Sequence, residues 1–440
     1  MELEVLPEQK KKTEVGSYFV ANYPPFSVWS PEYKPAIESA LDDPPRPDTP
    51  LGLYLHIPFC RKRCKFCYFR VYTDKNASEI ESYLEALASE IRLYAGRGGF
   101  GNRQFEFVYF GGGTPSYLSN AQLERLVENI NKHWTWSAAR EVTFECEPGT
   151  LKESKLATIK KIGVTRLSLG VEHFDEEILS INGRAHKSAE IWKAYQWARE
   201  VGFAQINIDL IAGMLGETED KWKYAVEKAL ELSPDSLTIY QMEVPYNTGI
   251  AKEAREHGGV SEVASWAQKR AWVDYAFRQF EGAGYVASSG YTLVKPSTHA
   301  GFVYRDSLWH GADLVGTGVA SFGHFQGVHY QNMDKWEDYL AAIEAGQLPI
   351  HRALPLTAHQ LLIREMILQL KTGKLDAAYF RRKFGEEILD VFREGFDSLV
   401  EEGVASISGD MVRLNREGLL KVDTLLPRFF EPEFQNIRYT

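Results

Sequence analysis

From Leu51 onward, short apolar runs alternate with longer stretches whose apolar residues recur at helical spacing. The runs LYLHIPF, FEFVYF, EVTFEC, RLSLGV, QINIDLIAG and SLTIYQMEV have the length and side-chain character of strands. Between them, ASEIESYLEALASEIRLYA places Ile80, Leu84, Leu87 and Ile91 on one helical face. NAQLERLVENINKHW, HKSAEIWKAYQWAREVG and TEDKWKYAVEKALEL read the same way, with Gly202 at a C-cap position and Thr218 at an N-cap. The six repeated βα units predict an α/β fold, a parallel sheet covered by helices and curled as a partial or full (β/α) barrel. An open doubly wound sheet is the alternative, since periodicity alone does not separate the two.

The pattern changes at both ends. Residues 1–49 form an aromatic and Pro-rich arm, GSYFVANYPPFSVWSPEYKP running into DDPPRPDTP. Its aromatics (Tyr18, Phe19, Tyr23, Phe26, Trp29) predict an arm that packs on the body, over a site or over the core. The barrel domain is expected over 50–330, a connecting segment over 331–354, and a small helical, winged-helix-like domain over 355–440. In that last region HQLLIREMILQLKTGKLD and EEILDVFREGFDSLVEEG read as helices, and ASIS-GD-MVRLN as a hairpin. Glu386, Glu387, Asp390 and Glu394 are poor company for a DNA-reading helix, so packing is the expected role.

Composition narrows the function. A chain of 440 residues with 44% hydrophobic and 25% charged residues is that of an ordinary globular protein. A formal charge of -10 argues against a nucleic-acid binder. The apolar runs fall short of a membrane span, and MELEVLPEQKKKTEVG offers no apolar leader, so a cytoplasmic location is expected.

The chemistry concentrates in HIPFCRKRCKFCYF, where Cys60, Cys64 and Cys67 are three of only four cysteines. Such spacing is a poor disulfide framework and suits metal or redox chemistry. A structural zinc site takes about four protein ligands, and the loop holds neither a His nor another Cys; a catalytic zinc on three ligands with an open water is the other option, for which three thiolates are unusual. Three thiolates suit an iron–sulfur cluster with one iron open to a non-protein ligand. Arg61, Lys62, Arg63 and Lys65 make the same loop basic, either a solvated loop or a docking patch for an acidic electron donor.

C-x₃-C-x₂-C directly after the first strand resembles the signature of radical S-adenosylmethionine (radical SAM) enzymes. The string from Tyr54 to Cys67 is similar to the branch holding oxygen-independent coproporphyrinogen III dehydrogenase, the heme chaperone and the class C radical SAM methyltransferases. FGGGTPS, TFECEPGT, RLSLGVEHF, NGRAH, INIDLIAGM and DLVGTGVASF continue the likeness in order. The resemblance implies a [4Fe–4S] cluster on Cys60, Cys64 and Cys67 and a SAM bound to it. It implies an electron donor such as flavodoxin or ferredoxin, a small-molecule substrate and a monomer. Tyr54, Gly112 and Glu145 match positions contacting that SAM. Phe66, Gly113, Thr114, Glu172, Arg184, Asp209 and Met242 match positions lining a second SAM. Glu145 is expected at the end of the third strand and Asp209 at the end of the fifth.

Two departures shape the expected reaction. The family's oxidase has another cysteine two residues after the last ligand, where this chain continues Tyr68-Phe69. Its usual GVQ reads GVE, placing a carboxylate, Glu172, where it could act as a base. The expectation is therefore a class C-type methyltransferase that cleaves SAM reductively to a 5′-deoxyadenosyl radical and alkylates an sp² carbon with a second SAM. An oxidative decarboxylase like the coproporphyrinogen enzyme is the alternative. A heme-binding chaperone is the other, although the stretch Tyr304–Trp309 lacks that group's His and leaves only His310 and His324 nearby.

Overall fold

The structure, a computed structural model, describes residues 22–245, 248–256, 263–296, 301–435 and 437. The six apolar runs become β1 (Leu51–Ile57), β2 (Phe105–Gly112), β3 (Glu141–Cys146), β4 (Arg166–Glu172), β5 (Gln205–Ala212) and β6 (Ser236–Gln241). They lie side by side, parallel and in chain order. At one edge β7 (Val286–Ala287) and β8 (Thr292–Val294) fold back antiparallel on β6. At the other edge β9 (Asp313–Thr317) runs parallel to β1. Beyond it, β10 (Phe322–Phe325), β11 (Val328–Asn332) and β12 (Ile350–Pro355) extend the sheet antiparallel. The twelve-stranded order β12-β11-β10-β9-β1-β2-β3-β4-β5-β6-β8-β7 has unpaired ends, which makes the wall a partial barrel.

Local chemistry explains the helices between these strands. The helix Ala77–Ala95 starts on an Asn76–Glu79 capping box, and Asn120–Asn131 on a Ser119–Gln122 box. Ile80, Leu84, Leu87 and Ile91 are buried against the sheet as their spacing predicts. Gly202 ends its helix in the left-handed region at φ 80°, and the Thr218 hydroxyl accepts from Lys221 N at the next helix start. The helix Val303–Trp309 lies on the concave face instead. There Glu141 accepts from Val303 N and Tyr304 N at 3.0 and 3.1 Å, and the Tyr304 ring packs on Phe107 and Tyr109.

The expected connecting segment 331–354 is corrected by the sheet: it holds the end of β11, the helix Trp336–Glu344 and most of β12. The C-terminal region has its own core around the helices Ala358–Leu370, Ala377–Phe384 and Arg393–Glu401. It also has a small sheet of β13 (Lys374–Asp376), β14 (Ala405–Ser408) and β15 (Met411–Leu414). EEILDVFREGFDSLVEEG is two helices and not one, because Phe392 leaves helical geometry at φ -113°, ψ 31°.

The described part of the arm is structural. Phe26 and Trp29 pack on Phe322, and Trp29 stacks on His329 at 4.9 Å. Tyr23 packs on Phe430 and Phe434 of the tail and donates to Glu431 at 3.0 Å. These arm and tail aromatics bury each other, with Tyr23 wholly enclosed. Tyr18 and Phe19 lie outside the described residues.

Candidate active site

Alternate residues of β1–β6 point to the concave side and build one polar wall. Tyr54 stacks beside Tyr109 with centroids 5.9 Å apart, and the Tyr109 hydroxyl donates to Glu145 at 2.8 Å. Ser168 and Asn207 donate to the two oxygens of Asp209 at 2.9 Å each. Glu145 sits near the end of β3 as expected. Asp209 does not sit at the end of β5: it is mid-strand, opposite Gly170 and Thr238, because the strand runs on to Ala212. Tyr240 occupies the same concave wall on β6 and still exposes 42% of its surface, so it borders a hollow. Tyr68 and Phe69, at 43% and 49% exposed, stand just past Cys67.

The cysteine loop follows β1 and is pinned on both sides. Cys60 N donates to Tyr72 O at 3.0 Å and Tyr72 N to Pro58 O at 2.8 Å. Lys65 N reaches Asn182 O at 3.0 Å, and Ile250 N reaches Lys65 O at 3.1 Å. The glycine turn after β2 packs directly under the loop: Gly113 N and Thr114 N donate to Ile57 O and Phe59 O at 2.9 and 2.8 Å. A side chain at Gly113 would lie 2.9 Å from the Phe59 carbonyl, and Gly112 has φ +114°, so both positions require glycine.

The three cysteines are free thiols. Burial pushes Cys60 up to about 11, against a hydrogen bond from Thr114, and Cys67 also upward, with Cys64 adding to both. Among the described residues no group of three or more His, Cys, Asp or Glu is placed to hold a single metal ion. The thiols lie near enough for Cys64 to raise both of its neighbours. Three thiols on one loop suit a polynuclear cluster, whose positive irons would keep the buried sulfurs ionised. Donors already face two of them: Thr114 Oγ1 to Cys60 at 3.4 Å and Arg184 Nη1 to Cys64 at 3.3 Å. The donor set fits the cluster that the motif implies.

Arg184 ties the loop to the far side of the wall. Its Nη2 donates to Gly170 O at 2.6 Å, and its guanidinium stands 3.7 Å from Glu172. Its Nε is buried with no partner, an orphaned donor beside the thiols that a ligand carboxylate would satisfy. Glu172 itself has φ +64°, in the left-handed region. Burial raises Glu145 to about 7 and Glu172 to about 7, with Asp209 adding to both; burial raises Asp209 as well. Three carboxyls therefore face one hollow with too few cations, a setting that favours a cationic, hydroxyl-bearing guest. Burial holds His56 at about 4, a neutral ring, and it lies 3.3 Å from the Tyr54 hydroxyl.

Phe66 and Met242 meet on the opposite flank in a small apolar cluster with Ile178, Ile211, Met214 and Ile250. The structure thus places Tyr54, Gly112, Gly113, Thr114, Glu145 and Asp209 on the wall and the turn, Phe66 on the cysteine loop, Arg184 and Glu172 between loop and wall, and Met242 in the apolar cluster.

Tyr109, Tyr240 and Glu147 carry the site too and have no assigned role in the sequence. Tyr109 and Tyr240 could have been found from the two-residue alternation of FEFVYF and SLTIYQ, which puts them on the face of Tyr54. Glu147 lies in TFECEPGT without a local signal. It receives Arg61 Nε and Nη2 at 3.0 and 2.8 Å and has His186 at 3.3 Å, which clamps the cysteine loop to β3. Two other basic loop residues are engaged as well: Lys65 pairs with Glu253 at 3.0 Å, and Arg63 donates to Cys67 O at 3.1 Å. Of the histidines near the barrel's end, His310 Nδ1 donates to Asp306 O at 2.7 Å and His324 is buried against His329.

The chain matches the radical SAM superfamily model over residues 54–229. Its curated relatives include the oxygen-independent coproporphyrinogen III oxidase of Salmonella typhimurium, 26% identical over 391 residues covering 86% of this chain and 84% of that one. The heme chaperone HemW of Bacillus subtilis is 28% identical over 374 residues, 83% of this chain and 96% of that one. Among solved structures, the coproporphyrinogen III oxidase of Escherichia coli superposes with a TM-score of 0.81 at 24% identity, covering 94% and 96% of the two chains. That likeness establishes the shared fold. No described helix is long and apolar enough to cross a membrane.

Proposed function

We propose that this radical SAM enzyme removes hydrogen from a reduced small molecule, the oxidative reaction class of the coproporphyrinogen III oxidases it resembles. The observation that carries this reading is the extent of the match, 86% of this chain against 84% of the oxidase. The methyl-transfer expectation drawn from the missing cysteine loses its preference, because the relatives named above are oxidases and heme chaperones.

A [4Fe–4S] cluster with SAM would supply one-electron reductive cleavage of a sulfonium and with it a hydrogen-abstracting oxidant. The rest is work for the chain's own residues. Cys60, Cys64 and Cys67 would hold the irons, while Thr114 and Arg184 donate to the sulfurs of Cys60 and Cys64. The free Nε of Arg184 takes a carboxylate. Glu145, anchored by Tyr109 and Gly112 N, takes an ammonium or hydroxyl, and Asp209 and Glu172 receive further hydroxyls and positive charge. Tyr68, Tyr240 and Tyr304 wall the hollow and exclude water from the reacting atoms. An acidic flavodoxin or ferredoxin would deliver the electron at the cysteine loop.

The test is anaerobic turnover of cluster-loaded protein with dithionite, SAM and coproporphyrinogen III. Formation of 5′-deoxyadenosine together with loss of substrate carboxyl groups as CO₂ is the expected result. S-adenosylhomocysteine with a methylated product would overturn it in favour of methyl transfer. Tight heme binding with no SAM cleavage would replace it with the carrier reading.

A further inference from the structure

The turn after β2 carries two hydroxyls, and both are committed inside the protein. Ser116 is 1% exposed; its Oγ accepts from Glu147 N at 3.1 Å and lies 2.6 Å from Thr150 Oγ1. Thr150 spends its own proton on Glu147 O at 2.8 Å, so Ser116 is the donor of that pair. Thr114 is 9% exposed. Its N donates to Phe59 O at 2.8 Å, its carbonyl accepts from Tyr117 N at 2.9 Å, and its hydroxyl donates to the Cys60 sulfur at 3.4 Å. A hydroxyl has one proton to give, and this one goes to a cluster-loop thiol.

Burial pushes the Cys60 thiol up, and the Thr114 bond is the largest influence opposing it. The bond therefore favours a sulfur that carries negative charge. A cluster on these cysteines gains one electron when it is reduced, and part of the added charge falls on its ligand sulfurs. A fixed O–H donor then stabilises the reduced form more than the oxidised one, which raises the midpoint potential. The residue type suits that task. At φ -142°, ψ 87° the β-branched side chain of Thr114 is restricted at χ1, so the hydroxyl stays at the sulfur. Serine would offer the same donor with more rotamers, and valine the same shape with no donor.

We propose that the Thr114 side chain sets the reduction potential of the cluster through Cys60 and takes no part in holding SAM. The inference rests on the cluster reading of the cysteine loop and on no particular reaction beyond it. It divides the labour of the site: Arg184 serves a sulfur and a ligand carboxylate together, whereas Thr114 serves a sulfur alone.

Reconstituted full-length protein tests this without turnover. The cluster is titrated with dithionite in the absence of SAM and read by electron paramagnetic resonance; SAM affinity is measured separately by equilibrium dialysis. Thr114→Val should lower the midpoint by about 30–60 mV, a change of roughly three- to tenfold in the one-electron equilibrium. Thr114→Ser should stay near the unaltered value, and both variants should bind SAM as the unaltered protein does. An unchanged midpoint in Thr114→Val would overturn the proposal. So would a loss of SAM affinity of roughly tenfold in that variant, the worth of a hydrogen bond to a charged group, because it would make Thr114 a SAM contact. Should Thr114→Val take up no iron, Thr114→Ala removes the same donor and is read in the same way. If neither loads, the hydroxyl serves cluster assembly and the tuning role falls. Unaltered protein that takes up no iron would sink the cluster reading, and this inference with it.

Discussion

Arg184 donates to the Cys64 sulfur at 3.3 Å while standing 3.7 Å from Glu172, so one guanidinium spans the cysteine loop and the carboxylate wall. Burial works against this cation, and Cys64 followed by Glu172 more than restores it. The side chain therefore reports on both halves of the site.

Arg184→Ala should still load a cluster, because the three thiols remain. Its midpoint potential should fall, since a fixed positive charge beside a ligand sulfur is gone. SAM cleavage should drop roughly 10- to 100-fold, the value of about 1.5–3 kcal/mol for a charged hydrogen bond. Redox titration followed by electron paramagnetic resonance separates the two effects. An unchanged potential would show that Arg184 does not act on the cluster.

Single Cys→Ser changes at Cys60, Cys64 or Cys67 should each abolish stable cluster loading, read from iron and sulfide content. Cys146→Ala is the control. Cys146 is buried and donates only to its own strand at Phe144 O, 3.8 Å away. Its replacement should keep full iron content at a stability cost of about 1 kcal/mol.

The wall carboxyls predict a pH signature in the ligand-free protein. Glu145 and Glu172 have folded values of about 7 against 4.5 unfolded. A raised folded value means the unfolded state ionises first, so their stability contribution is complete below 4.5 and is lost as pH rises to 7. Glu172→Gln should remove part of that decline and stabilise the protein at pH 8 by roughly 1–3 kcal/mol. Chemical denaturation at several pH values checks it; a parallel pH profile in the variant would count against the assignment. Binding of cationic SAM should ionise these carboxyls, so calorimetry at pH 6.5 in two buffers of different ionisation enthalpy should detect proton release.

Glu147 predicts the opposite sign. Burial would raise it, but His186 and Arg61 prevail and hold it at about 2. Its contribution is present above 4.5 and is lost as pH falls toward 2. Glu147→Gln should cost roughly 1–3 kcal/mol at neutral pH, free the Arg61 side of the cysteine loop and slow cluster loading. Limited proteolysis within residues 60–72 should quicken in the variant; equal cleavage rates would place the clamp elsewhere.

How much of this was legible in the chain varies by residue. Ile80, Leu84, Leu87 and Ile91 announced their buried face because helical period is a local property. Gly202 and Thr218 announced helix ends for the same reason. Asp209 was misplaced by three residues because strand ends have no comparable marker in QINIDLIAG. The break at Phe392 was hidden inside an amphipathic pattern that suits one helix as well as two.

The amino-acid sequence by itself determined the alternating βα order, the C-x₃-C-x₂-C loop after the first strand and the glycine turn that must lie under it. Each rests on backbone geometry or residue spacing within a few positions. Only the tertiary structure decided that Arg184 would reach Cys64, 120 residues away, and that Glu147 would clamp Arg61. It also decided that Tyr23 would spend its ring on the tail aromatics. Those outcomes depend on which surfaces the curled sheet brings together, and no local pattern records the distance between residues that the fold alone makes neighbours.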